Sequence, residues 1–237
     1  MTGFYSWSNY PLGNFGGTTD LGDGNKKISI VLPWSVRCYF KKFELKDSTY
    51  INAIKYKNNI IMYGDSITHG YDSIHPSNSY AMRLARKLDS NCHMKAVGGE
   101  VFRPELARIK QNVKPDYVTV AYGANDWGST KKEEFDKNSE EFLKSISENY
   151  EGIKVFVISP IWRKDHTTPG MGFGEPFGYV HKRLEEICKN YNNLIYVNGW
   201  ELVAQDENLY GDLRLHPNDD GFEMYFENLY KIIKDYV

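Results

Sequence analysis

The chain has 237 residues, 41% of them hydrophobic, which suffices for one full-sized core with a small appendage and not for two equal domains. Its 29 basic and 31 acidic residues leave a net charge near −2, and no basic run is interleaved with aromatics, so a nucleic-acid partner is not expected. The longest apolar runs, Ile28 to Trp34 and Ile153 to Ile158, fall well short of the roughly 20 residues of a membrane helix, which argues against a membrane partner.

The N-terminus shows no positive start followed by an apolar run, so a cytoplasmic protein is expected, although a trimmed secretion signal would leave no trace. Residues 1–55 are punctuated by Gly13, Gly16, Gly17, Gly22 and Gly24, then by strand-like runs at Ile28 to Leu32 and Val36 to Leu45. A small β-rich extension is the reading. The alternation of Val36, Cys38 and Phe40 slips before Phe43 and Leu45, which predicts a bulge or bend. Cys38, Cys92 and Cys188 are odd in number and far apart, as expected of reduced thiols rather than a disulfide framework.

From residue 56 onward, β-branched runs alternate with helical patterns, the signature of an α/β fold with a parallel sheet. Five strands are predicted: Asn59 to Gly64, His93 to Val97, Tyr117 to Tyr122, Ile153 to Ser159 and Leu194 to Asn198. Between them, Tyr80, Ala81, Leu84, Ala85 and Leu88 share one helical face, and Pro104 opens a second helix with Leu106 and Ile109 inward. Thr130 and Glu133 are spaced as a capping box before Phe135, Phe142, Leu143 and Ile146. Val180, Leu184 and Ile187 mark a fourth helix. The last carries Phe222, Tyr225, Phe226, Leu229 and Ile233 after the candidate caps Asn218, Asp219 and Asp220.

Ser66, in Gly64-Asp65-Ser66-Ile67-Thr68, follows the first strand, at the carboxyl-terminal sheet edge where open α/β folds bind ligands. A hydroxyl becomes a useful nucleophile when a base takes its proton, and histidine is suited to that work near neutral pH. Of six histidines, His216 stands out, because Asp212-Leu213-Arg214-Leu215-His216-Pro217 supplies an acid, a base and a rigid turn before the last helix. Donors for a developing oxyanion are available from Gly98-Gly99 after the second strand and from Asn125 in Gly123-Ala124-Asn125-Asp126 after the third.

These four blocks, GDSIT, the Gly98-Gly99 pair, GAND and LHPND, occur in the order found in the SGNH hydrolases, also called GDSL esterases and lipases, which residues 59–237 resemble. The resemblance implies a flavodoxin-like three-layer sandwich over residues 56–237 and a serine esterase with Ser66 as nucleophile and His216 as base. It implies an oxyanion hole from the Ser66 N–H, the Gly99 N–H and the Asn125 amide, with no metal or other cofactor. One departure matters. The family's usual acid lies three residues before the histidine, where this chain has Leu213; the carboxylate, Asp212, is four before. In an extended segment that shift turns the side chain to the opposite face, so either the loop bulges to bring Asp212 to the ring or a backbone carbonyl orients His216.

For substrate, the resemblance allows carbohydrate esters, lipids and thioesters, with transfer to an alcohol or loss of activity in a glycan-binding protein as alternatives. Trp127 and Trp162, on loops beside the expected site, are candidates for stacking on a sugar ring, as are Tyr5, Trp7, Tyr10 and Phe15. Removal of acetyl groups from a glycan is the preferred reading.

Overall fold

The computed structural model describes residues 16–34, 39, 41–47, 50–170 and 172–236. Strand β1 spans Asn58–Gly64 and is followed by α1, Ser66–His69, and α2, Tyr80–Lys87. Strand β2, Ser90–Ala96, leads to α3, Pro104–Arg108; β3, Tyr117–Ala121, leads to α4, Ala124–Ser129, and α5, Lys132–Asn149. Strand β4, Val155–Ile158, then α6, Gly178–Cys188, β5, Leu194–Val197, and α7, Asp219–Ile233, complete the order. All five strands pair in parallel, in the order β2-β1-β3-β4-β5. This is the flavodoxin-like arrangement, with helices on both faces of one sheet.

The apolar strand runs have their cause in that double covering. Ile61 and Tyr63 of β1 join Val118, Val120, Val155 and Val157 on one face, packed under side chains of α5 and α6 such as Phe142 and Leu184. Ile60 and Met62 point the opposite way with Phe156 and Ile158, under α2 and α7. The edge strand β2 is only partly covered, and its side chains are mostly half-exposed. Because β2 and β3 lie on opposite sides of β1, the chain reverses its direction of travel across the sheet there. The carboxyl ends of β1 and β3 therefore flank an open crevice. Gly64 makes the exit from β1 possible: a β-carbon there would stand 2.0 Å from the Thr68 hydroxyl oxygen.

Two local expectations need correction, and a third is narrowed to one residue. The helix beginning at Lys132 has Lys131 at its N-cap with no side-chain bond, so Thr130 and Glu133 form no capping box; the short α4 occupies the preceding residues. In α3, Ala107 turns inward and Ile109 ends the helix largely exposed. Asn218 caps α7 by accepting from the Gly221 N–H, whereas Asp219 reaches back to the Ile74 and His75 N–H groups and the His75 ring.

The β-rich extension falls partly outside the described residues, Val36, Cys38 and Phe40 included; its described residues, Phe43 and Leu45 among them, form no strand. No helix among the described residues is long and apolar enough to cross a membrane.

Candidate functional site

Strand β1 delivers Asp65 and Ser66 directly to the crevice. Asp65 takes the N-cap of α1 and accepts from the Ile67 N–H at 2.9 Å, which fixes the turn and makes Ser66 the first helical residue. The Ser66 Oγ lies 2.9 Å from His216 Nε2, although 150 positions separate the two residues. On the other side of the ring, His216 Nδ1 is 2.8 Å from Asp212 Oδ2. A carboxylate only accepts, so Nδ1 carries the proton, and the Nε2 lone pair faces the serine hydroxyl, which donates to it.

Asp212 reaches the ring because the loop is not extended. Leu213 adopts a left-handed conformation, φ 54°, which absorbs the additional residue between acid and base. Asp212 Oδ1 then accepts from the N–H groups of Arg214, Leu215 and His216 at 2.9, 2.7 and 3.1 Å. The Gly211 N–H donates to the His216 carbonyl, and Tyr210 bridges to Pro217, closing the loop at its base. Burial alone would raise the Asp212 carboxyl; the bonds from His216 and the loop backbone outweigh it and hold the group well below the usual carboxylate range.

The segments that carry the oxyanion candidates are tied to one another and to the residue before Ser66. Gly98 and Gly99 form a turn closed by Glu100 N–H to Val97 O, with Gly99 at φ +80°, a conformation that favours glycine. Asn125, in the first turn of α4, donates its amide to the Glu100 carbonyl at 3.0 Å and to Asp65 Oδ2 at 3.3 Å. It thus joins the residue after Gly99 to the residue before Ser66. Its neighbour Asp126 accepts from the Phe102 N–H at 3.1 Å, a second tie to the glycine loop, while its other oxygen is buried without a partner among the described residues. Burial pushes Asp126 up to about 7 and Asp65 up to about 6.

Two predicted site residues are not brought to the surface of the crevice. Trp127 is 1% exposed; its Nε1–H donates to the Glu175 carbonyl, and its ring packs against Phe177 beneath the Arg163 guanidinium. Trp162 is 7% exposed and packs against Tyr210 and His166. Neither offers a free face to a sugar. Tyr5, Trp7, Tyr10 and Phe15 lie outside the described residues.

The structure also places beside these groups charged residues that sequence reasoning missed. Asp72, in the loop after α1, places Oδ2 3.8 Å from His216 Nδ1; burial and the charge of Asp212 raise its carboxyl, and His216 opposes the shift. Asp72, Asp212 and His216 together offer ligand atoms within 4.8 Å of one another, a donor set of metal-binding type. With its proton bonded to Asp212, however, the His216 Nδ1 has no lone pair to give a cation.

Arg163, almost fully buried, donates to the Ala124 carbonyl of α4 and to both oxygens of Asp165, which in turn receives Arg214. This chain of charges ties the helix bearing Asn125 to the loop bearing His216. Only the GDSIT serine and the LHPND histidine carry sequence signals strong enough to announce such contacts; Asp72 and Asp165 sit in loops with no motif of their own.

Residues 62–224 match the profile of the GDSL-like lipase/acylhydrolase family. No curated protein matches the chain. Among solved structures, the chain is similar to a putative GDSL-like lipase from Bacteroides ovatus, with TM-score 0.64, 20% identity and coverage of 76% of this chain and 53% of that one. It is similar to a salicylyl-acyltransferase from a tetracycline biosynthetic pathway, with TM-score 0.63, 18% identity and coverage of 78% and 56%. A family two carbohydrate esterase from Clostridium thermocellum, in complex with cellohexaose, gives TM-score 0.62 and 21% identity over 78% and 66%. The chain therefore spans between about half and two thirds of the length of these neighbours.

Proposed function

From the premise that this chain belongs to the GDSL-like lipase/acylhydrolase family, and is thus an SGNH hydrolase, we propose that it hydrolyses carboxylic esters through an acyl group carried on Ser66. The observation that carries this reading is the continuous array from Ser66 Oγ through His216 to Asp212, with both contacts under 3 Å. His216 Nε2 takes the Ser66 proton as Oγ bonds to the ester carbonyl carbon, and the carbonyl oxygen becomes an oxyanion. The Ser66 and Gly99 N–H groups and the Asn125 amide receive that charge. The Asn125 contact with Asp65, the longer of its two at 3.3 Å, is the one that yields to the oxyanion.

Collapse of the intermediate breaks the bond to the alcohol oxygen, which leaves with the proton held on His216. Water then gives a proton to His216 and attacks the acyl carbon; the Ser66 ester bond breaks, the acid departs, and Oγ recovers its proton. Asp212 holds the imidazole with Nδ1–H towards the carboxylate throughout, and its negative charge stabilises the imidazolium.

For substrate, we read short acyl groups, acetyl in particular, on a carbohydrate. The family two carbohydrate esterase among the structural neighbours supports that class. The test is release of p-nitrophenol from p-nitrophenyl acetate by the wild type and by Ser66→Ala, followed by acetate release from acetylated oligosaccharides. Turnover lost in the variant is expected. A wild type as inert as Ser66→Ala would instead make the chain a binding protein of the same fold, and acyl transfer to added alcohols in preference to water would make it an acyltransferase.

A further inference from the structure

Tyr71 sits five residues beyond Ser66, and its N–H donates to the Ser66 carbonyl. Its ring lies 5.7 Å from the His216 imidazole, centroid to centroid, and a β-carbon on Gly98 would come within 2.9 Å of its hydroxyl oxygen. Tyr71 thus touches both the base and the glycine turn. Against it rests Trp34, with centroids 4.4 Å apart and planes tilted by 34°, and the Trp34 Nε1–H donates to the Ser73 carbonyl at 3.2 Å. Both rings are only half-buried. Trp34 belongs to the stretch upstream of the matched residues 62–224.

We propose that Tyr71 and Trp34 form the subsite for the alcohol half of the ester, and that this subsite takes a ring-bearing alcohol without negative charge, such as a pyranose. The proposal rests on the reading of Ser66 and His216 given above. The side of the substrate follows from proton transfer: the alcohol oxygen must come within hydrogen-bond reach of His216 Nε2 to be protonated, so the rest of the alcohol lies against whatever flanks that imidazole. On this flank stands Tyr71, extended by Trp34 packed against it, and aromatic rings suit the C–H surface of a sugar. Asp72 and Asp212, both beside His216, repel an anionic group and so disfavour a phosphorylated alcohol. The upstream stretch then completes the site instead of merely preceding the esterase domain.

The test compares acetate release from a monoacetylated methyl xylopyranoside and from ethyl acetate by the wild type, Trp34→Ala, Trp34→Phe and Ser66→Ala. The ratio of kcat/KM for the sugar ester to that for ethyl acetate is expected to fall about tenfold in Trp34→Ala and to recover most of that loss in Trp34→Phe. A ratio unchanged in Trp34→Ala, with both esters still cleaved, overturns the subsite alone. Absence of turnover in the wild type, or its persistence in Ser66→Ala, overturns the underlying reading and the subsite with it.

Discussion

Asp212→Asn isolates the role of the carboxylate from the shape of the loop that carries it. The amide oxygen can still accept from the N–H groups of Arg214, Leu215 and His216, so the turn around the left-handed Leu213 is retained. The amide nitrogen, however, faces His216 Nδ1 as a donor at the 2.8 Å contact. Nδ1 must then accept, which moves the ring proton to Nε2 and aims it at Ser66 Oγ, so the base has no lone pair for the serine. Loss of the correct tautomer costs about 10⁴ in kcat, or about 5 kcal/mol of transition-state stabilisation.

Asp212→Ala also leaves three N–H groups without their acceptor. It should lower stability by about 1–2 kcal/mol in addition to the fall in kcat, since water replaces part of the loss at this half-exposed loop. Asp72→Asn, whose parent carboxylate stands at 3.8 Å, is expected to change kcat only a few-fold. Steady-state hydrolysis of p-nitrophenyl acetate, with thermal denaturation in parallel, measures all three. A few-fold change in Asp212→Asn, or a larger fall in Asp72→Asn, would show that Asp212 is not the group that orients His216.

Asp126 gives a pH signature of opposite sign to that of a salt-bridged acid. Burial raises its folded pKa from the ordinary carboxylate range to about 7, so between about pH 4 and 7 the folded protein binds more protons than the unfolded chain, and stability falls as pH rises. Asp126→Asn should flatten that decline in Tm from pH 5 to 8; an equally steep decline in the variant refutes the assignment. Asp165→Asn removes the partner of the buried Arg163 and of Arg214. It should cost about 2 kcal/mol, less than a fully buried pair because Asp165 is one-third exposed, together with about tenfold in kcat as the His216 loop loosens. Unaltered kcat would separate that brace from catalysis. Trp127→Ala should lower stability by about 3–5 kcal/mol, the cost of emptying a core aromatic site, as measured by urea unfolding. A loss under 1 kcal/mol would contradict its packing role.

The parts of this protein that were legible in the sequence are those where local pattern and tertiary role coincide. Runs such as Ile60 to Tyr63 are apolar on successive residues because both sheet faces are covered, and that double covering is what placed the central strands within a few residues. Ser66 and His216 stood out because each lies at a junction between elements of clear period, Ser66 just after β1 and His216 just before α7. The orientation of Asp212 was not legible, since it depends on a left-handed leucine, a conformation that leucine does not advertise. Trp127, expected on a loop, instead lies in the six-residue helix α4, which swings the indole into the core. The pairing of Tyr71 with Trp34 links an irregular loop to a stretch without periodicity, and no spacing rule connects the two.

Labelling by a fluorophosphonate ester, a reagent that phosphonylates serine nucleophiles activated by a base, puts the Ser66–His216 pair to the most direct test. Mass spectrometry of the digested protein should locate a single stoichiometric adduct on Ser66, abolished in His216→Ala and slowed by several orders of magnitude in Asp212→Asn. An enzyme that cleaves esters while Ser66 stays unmodified, or that is labelled equally fast without His216, would contradict the central claim.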